Sequence, residues 1–143
     1  MEMTKIIAFK IGEEEYGLDI SHVQSIERVL HITRVPNAPD YVKGVINLRG
    51  NVTPIIDLRC KLELGQAEFT DDSRVIITNI EDIQLGLIVD RTSDVINVSQ
   101  EMIDDPSTCG FDSEYFAGIA KIESRLIILL KLAELMKIPT NQP

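Results

Sequence analysis

Apolar residues fall along this chain in short runs separated by Gly, Pro and acidic clusters, a pattern that predicts many short strands and few helices. Ile6-Ile7-Ala8-Phe9, inside Thr4–Ile11, reads as a strand buried on both faces. Gly12-Glu13-Glu14-Glu15 breaks it and Tyr16–Ile20 resumes as the second arm of a hairpin. Asp19 or Ser21 is expected to cap a short helix that carries Val23 and Ile26 on one face. Val29–Val35 reads as a strand ended by Pro36 and Pro39.

The next stretch is a hairpin in which Val42, Gly44, Ile46 and Leu48 face one way and Lys43, Val45 and Asn47 the other. Its tip crowds Asn47, Arg49 and Asn51 around Gly50. Pro54 on the return arm points to an edge strand or a bulge. Asp57 is expected to cap a helical turn through Leu58 and Leu62 that Gly65 closes, and the polar segment from Gln66 to Ser73 reads as a surface connection. Further strands are expected at Arg74–Ile80, Gln84–Val89 and Val95–Val98. A loop follows from Ser99 to Glu114, with Pro106 and Gly110, and then a hairpin of Phe116–Ile122 and Leu126–Leu130. A last helical turn, Lys131–Lys137, stops before Pro139.

The two halves repeat. At an offset of 69 (86 − 17), Tyr16–Ile20 falls on Leu85–Val89, and Ile6, Ile11, Ile26 and Val29 fall on Val75, Ile80, Val95 and Val98. At an offset of 74 (118 − 44), Tyr41–Val45 falls on Tyr115–Ile119, and Leu48, Val52 and Leu58 fall on Ile122, Leu126 and Leu132. The expected fold is therefore all-β with short helices, built as two pseudo-repeated five-stranded barrels of about residues 1–68 and 69–143. Units this small are marginal alone and should share a hydrophobic interface. The repeat is also a control: where the first tip reads Asn47-Leu48-Arg49-Gly50-Asn51, the second reads Lys121-Ile122-Glu123-Ser124-Arg125. A hairpin that turns without Asn47 or Arg49 leaves those residues available for function. A planar guanidinium on a protruding tip suits a partner's carboxylate or backbone carbonyls.

Composition narrows the partners. The 143 residues carry 14 Lys+Arg against 23 Asp+Glu, and a formal charge of −9 repels phosphate backbones, so nucleic acid is not expected. No apolar run is long enough for a membrane helix and no secretory signal opens the chain, so a soluble, intracellular protein is expected. Cys60 and Cys109 lack metal-ligand spacing and read as reduced thiols; no cofactor or metal is expected. His22 and His31 form no HExxH, and no phosphate-binding glycine motif or nucleophile elbow occurs. Asp19, Ser21 and His22 hold the residue types of a hydrolase triad but read as capping residues at a helix start. No enzyme is expected.

EEEYGLDI, VPNAPDYVKGVINLRGNVTPIIDLR, LGLIVDRTSDVINV and YFAGIAKIESRLIILLKL, taken in this order, resemble the CheW family of chemotaxis coupling proteins over about residues 4 to 137. KGVINLRG and PIIDLR are the most specific segments. The resemblance implies two intertwined SH3-like barrels and a non-enzymatic adaptor that joins the cytoplasmic tip of chemoreceptors to the regulatory domain of the histidine kinase CheA. It implies a cytoplasmic protein recruited to receptor arrays, without insertion into the membrane. The chain has no room for a kinase or receiver domain, so it is read as the free-standing adaptor. Carried over, the receptor surface would comprise Val23, Ile26, Gly44, Asn47, Leu48 and Arg49, and the kinase surface would lie near Gly50 and Val52. Ser25 stands where that family commonly has an acidic residue. A small-molecule-binding double barrel is the alternative.

Overall fold

A computed structural model describes residues 3–29, 31–65, 68–109 and 114–137. Among the described residues there are eleven strands and two one-turn helices. They are β1 (Met3–Ile11), β2 (Glu14–Asp19), β3 (Val23–Arg28), β4 (Val42–Leu48), β5 (Asn51–Asp57), α1 (Leu58–Lys61), β6 (Arg74–Ile80), β7 (Ile83–Val89), β8 (Arg91–Ser99), β9 (Ile103–Asp104), β10 (Phe116–Ile122), β11 (Arg125–Leu130) and α2 (Leu132–Leu135). Gly110 and the expected stop at Pro139 lie outside the described residues, as do Gln66 and Ala67 of the polar connection.

One sheet has the order β8-β1-β2-β11-β10-β9 and the other β3-β6-β7-β5-β4. Replacing each strand of the second sheet by its repeat counterpart yields β8-β1-β2-β11-β10, the order of the first. Both are the same SH3-like barrel sheet with one exchange: the β1–β2 hairpin is inserted among strands of the second half, and β6–β7 among strands of the first. Two parallel pairings hold the exchanged hairpins, Leu129 opposite Gly17 and Ile55 opposite Gly86. A Cβ on Gly17 would lie 3.1 Å from Ile127 Cγ2, and one on Gly86 would lie 2.4 Å from Ile55 Cδ1. The glycines recur in the repeat because an apolar side chain of the joining strand packs over the backbone at each.

Three apolar clusters divide the interior. Ile46, Leu48, Ile55, Val75, Ile77 and Ile88 fill one barrel, and Ile6, Ala8, Val98, Ala120 and Ile127 fill the other. The largest cluster, including Phe9, Leu18, Ile56, Leu58, Leu87, Leu130 and Leu135, takes residues from both sheets and is the shared interface. At its edge Lys61, only 8% exposed, sets its ammonium 3.9 Å from the centre of the Tyr41 ring and 5.3 Å from that of Tyr115. Tyr41 and Tyr115 are repeat counterparts, and the counterpart of Lys61 is the fully buried Leu135. A cation enclosed by two ring faces takes the place of an aliphatic side chain.

Where the chain crosses from one sheet to the other, between β7 and β8, the Asp90 carboxylate accepts from Arg59 of α1 and from the Gly12 N–H at 2.7 Å. Asp57 caps α1 as expected, its Oδ1 accepting from Cys60 N at 3.3 Å.

Three local expectations need correction. Asp19 does cap the first turn, its Oδ1 accepting from Ser21 N at 2.9 Å, but the turn is only the 3-10 segment Ile20–His22. Val23 to Arg28 is strand β3, paired with β6. β-Branched Val23 and Ile26 suit a ladder better than a helix interior. In the strand Val23, Ser25 and Glu27 are half-buried while Gln24, Ile26 and Arg28 are exposed, and the register shift between Val23 and Ser25 sets Val23 opposite Thr78 and Ile26 opposite Ile76, so the two residues differ in depth. Of the expected strand Val29–Val35, in which Leu30 lies outside the described residues, the described residues form a single bridge, Thr33 with Val45, closed by hydrogen bonds of 2.9 and 2.8 Å. Pro54 marks neither an edge nor a bulge of its own, because β5 lies between β4 and β7 and the bulge falls at Lys43 of β4. Pro54 faces Val45, whose N–H and C=O both point to Thr33, and the β7 ladder begins one residue later at Ile55. Its missing N–H therefore breaks no bond to β4.

Candidate functional site

The β4–β5 hairpin closes from Leu48 to Asn51 through Arg49 and Gly50, with φ of 52° and 87°. These angles fit a type I′ turn, whose twist matches that of the flanking strands. Glycine takes this conformation freely; Arg49 does so at a steric cost. Asn47 offsets part of that cost, because its Oδ1 accepts from Gly50 N at 3.0 Å and ties strand to turn. Leu48, 7% exposed, anchors the hairpin in the barrel core.

The Arg49 side chain projects from this turn 69% exposed, with Nη2 3.8 Å from Glu27 Oε2 on β3. β3 and β4 stand at opposite ends of the strand order of their sheet, and this pair joins β3 to the β4–β5 turn. Val52 is 71% exposed just past the turn, and Ile26 is 40% exposed on β3.

The expected site residues thus separate by depth. Ile26, Asn47, Arg49, Gly50 and Val52 are at the surface of one barrel, and Val23 is half-buried against the shared interface. Leu48 is core. Gly44 is buried under the Thr33 segment, where a Cβ would lie 2.1 Å from the Thr33 carbonyl oxygen. Ser25 has its hydroxyl buried and without a hydrogen-bond partner among the described residues. A separate recess of about 580 Å³ is lined by the loop from Arg34 to Lys43, including Val35, Pro36, Pro39 and Asp40.

At the corresponding end of the other barrel stands a charge cluster that the sequence reading did not single out. Arg125 donates bidentately to Glu15 (3.1 and 2.6 Å) and to Asp94 (3.1 and 2.9 Å). Those hydrogen bonds hold the Asp94 carboxyl below the usual carboxylate range and push the Arg125 guanidinium above its ordinary value. The repeat counterparts of Arg125, Glu15 and Asp94 are Asn51, Gln84 and Ser25, all neutral. There Thr53 donates to Gln84 at 3.0 Å and Gln84 donates to Gln24 at 2.8 Å. The two barrel ends share a backbone and differ in charge. The repeat carries this difference position by position, and likewise sets Lys61 opposite Leu135.

Two SH3-like barrels that exchange hairpins around a common core, with a rigid tip carrying a cation and flanking apolar side chains, define a double-barrel binding module. The chain belongs to the CheW-like domain family, whose model matches residues 5–139. Among curated relatives, the chemotaxis protein CheW of Bacillus subtilis is 42% identical over 128 residues, 88% of this chain and 82% of that one. That of Klebsiella aerogenes is 36% identical over 134 residues, 92% of this chain and 81% of that one. The crystal structure of the scaffolding protein TtCheW from Thermoanaerobacter tengcongensis superposes with a TM-score of 0.84 at 37% identity, covering 91% of this chain and 90% of that one.

Proposed function

We propose that this chain is a non-enzymatic adaptor that couples chemoreceptors to the histidine kinase CheA, working in the cytoplasm at receptor arrays as one CheW-like unit. The observation that carries the reading is the hairpin tip: Arg49 is held out from a rigid type I′ turn with Ile26 and Val52 exposed nearby. The names of the relatives, chemotaxis proteins and a scaffold, support it.

In this reading Val23, Ile26, Asn47 and Arg49 meet the receptor tip. Gly50 and Val52, on the return side of the same turn, meet the regulatory domain of the kinase. Leu48 and Gly44 act from beneath, fixing the hairpin and its strand. Apolar anchors with a charged rim are suited to such contacts, because the anchors supply affinity and the charge supplies register. Reversal of charge at Arg49 tests the proposal. Arg49→Glu is expected to keep the fold and to weaken capture of a chemoreceptor tip fragment by at least about tenfold in a purified pull-down. Capture at the wild-type level by the folded variant would remove Arg49 from the receptor surface.

A further inference from the structure

The edge of the shared interface is built from counterpart positions, one pair of which does not match. Tyr41 and Tyr115 hold equivalent places, each tied to the strand end of its own half: the Tyr41 carbonyl accepts from Asp57 N at 2.7 Å and the Tyr115 carbonyl from Lys131 N at 2.8 Å. Beside these rings the halves differ. The first half supplies Lys61, nearly buried, with its ammonium 3.9 Å from the Tyr41 ring centre and 5.3 Å from that of Tyr115. The second half supplies the fully buried Leu135, part of the shared apolar cluster.

The backbone does not impose this combination. β1–β2 and β6–β7 join their sheets in the same way, with Gly17 opposite Leu129 and Gly86 opposite Ile55, and those four residues form two counterpart pairs. Two copies of the chain could therefore make equivalent strand pairings by joining first half to first half and second half to second half. In the first of these joints two Lys61 ammoniums would meet two Tyr41 rings at one nearly dry seam, and like charges taken out of water side by side oppose association. A single buried polar group that fixes register at some cost in stability has this use in other assemblies. We propose that Lys61 is the registry element of the interface: its charge rejects another first half and favours a second half, where the counterpart residue is the neutral Leu135. The same chain presents that second half at the highest effective concentration. The proposal is independent of the receptor and kinase reading.

The test is refolding of the full chain from urea over a range of concentrations, with mass read by light scattering behind size-exclusion chromatography. Wild type and Lys61→Arg, which keeps a cation, are expected to refold as monomers. Lys61→Met and Lys61→Leu should yield at least about ten times more dimer at the same concentration. That dimer should persist on dilution, because its halves are exchanged between chains and separate only on unfolding. Wild-type monomer yields from the two neutral variants would overturn the registry role. So would a Lys61→Arg dimer as abundant as that of Lys61→Met, which would assign the effect to shape, or a dimer that falls apart on dilution, which would assign it to surface association. Failure of both neutral variants to fold as either species would overturn it as well, making Lys61 a requirement of the fold itself.

Discussion

A methyl group at Gly44 would lie 2.1 Å from the Thr33 carbonyl oxygen, at a backbone φ of 146° that side chains rarely adopt. Gly44→Ala is therefore expected to destabilise the protein by about 3 kcal/mol or more, seen as a lowered urea midpoint. Gly50→Ala, with open space around the position but φ 87°, should cost only about 1 kcal/mol. A loss of partner binding in Gly44→Ala would thus report the fold before it reported an interface. The resemblance puts Gly44 on the receptor surface and the sequence alone does not show its burial, because a glycine shows what it lacks and not what passes over it. Its repeat counterpart Gly118, where a Cβ would lie 2.6 Å from Ile103 Cγ2, occupies the same kind of crossing. The tip was more legible: Asn47, Arg49 and Gly50 differ from Lys121, Glu123 and Ser124, and the exposed members of that difference are the ones the proposed function uses.

At the scale of elements, alternation placed the hairpins correctly and failed where two periods overlap. Val23 and Ile26 at a spacing of three satisfy a helix, and also a strand with a bulge at Gln24, where the β6 register shifts. Only the partner strand decides between them. Pro54 reads as the mark of an edge or a bulge because a one-strand view cannot tell that Val45 turns its hydrogen-bonding groups to Thr33. The cluster of Arg125, Glu15 and Asp94 joins β11 to β2 and β8, and its Asp94 is the group with a shifted carboxyl. Asp94 is held below the usual carboxylate range when folded, so its contribution is present above about pH 4, the ordinary value, and is lost as pH falls through the lower folded value. The urea midpoint of the wild type should fall more steeply than that of Arg125→Met on acidification into this window. The difference should stay within about 1 kcal/mol, since Asp94 is half-exposed and screened.

For the whole molecule, the repeat was legible in the spacing of Gly17, Gly44, Gly86 and Gly118 and in the apolar runs around them. The ranges Val42–Leu48 and Phe116–Ile122 align without a gap, as do Leu58–Lys61 and Leu132–Leu135. Which hairpin enters which sheet was not legible from the pattern. Tyr16-Gly17-Leu18 and Leu85-Gly86-Leu87 are similar enough in volume and period that either could fill either place, and only the resemblance to a known family implied intertwining. The exchange has a measurable outcome. A fragment of residues 1–68 would lack β6 and β7, two interior strands of its sheet, and the β8 and β11 flanks of β1–β2. It is expected to show no dispersed nuclear magnetic resonance spectrum on its own. The intact chain should unfold in one transition, with tyrosine absorbance and backbone circular dichroism coinciding in urea.

The parallel join of β2 to β11 also sets a schedule. Glu15, Tyr16 and Gly17 pair with Ile127, Ile128 and Leu129, so the N-terminal hairpin leaves the ribosome long before the strand that will hold one side of it exists. Until then Phe9, Ile11 and Leu18, which end fully enclosed, have no lasting cover. Pairings so distant in sequence close slowly. During synthesis, the interval between β2 and β11 is when this chain is most open to aggregation and most dependent on chaperones.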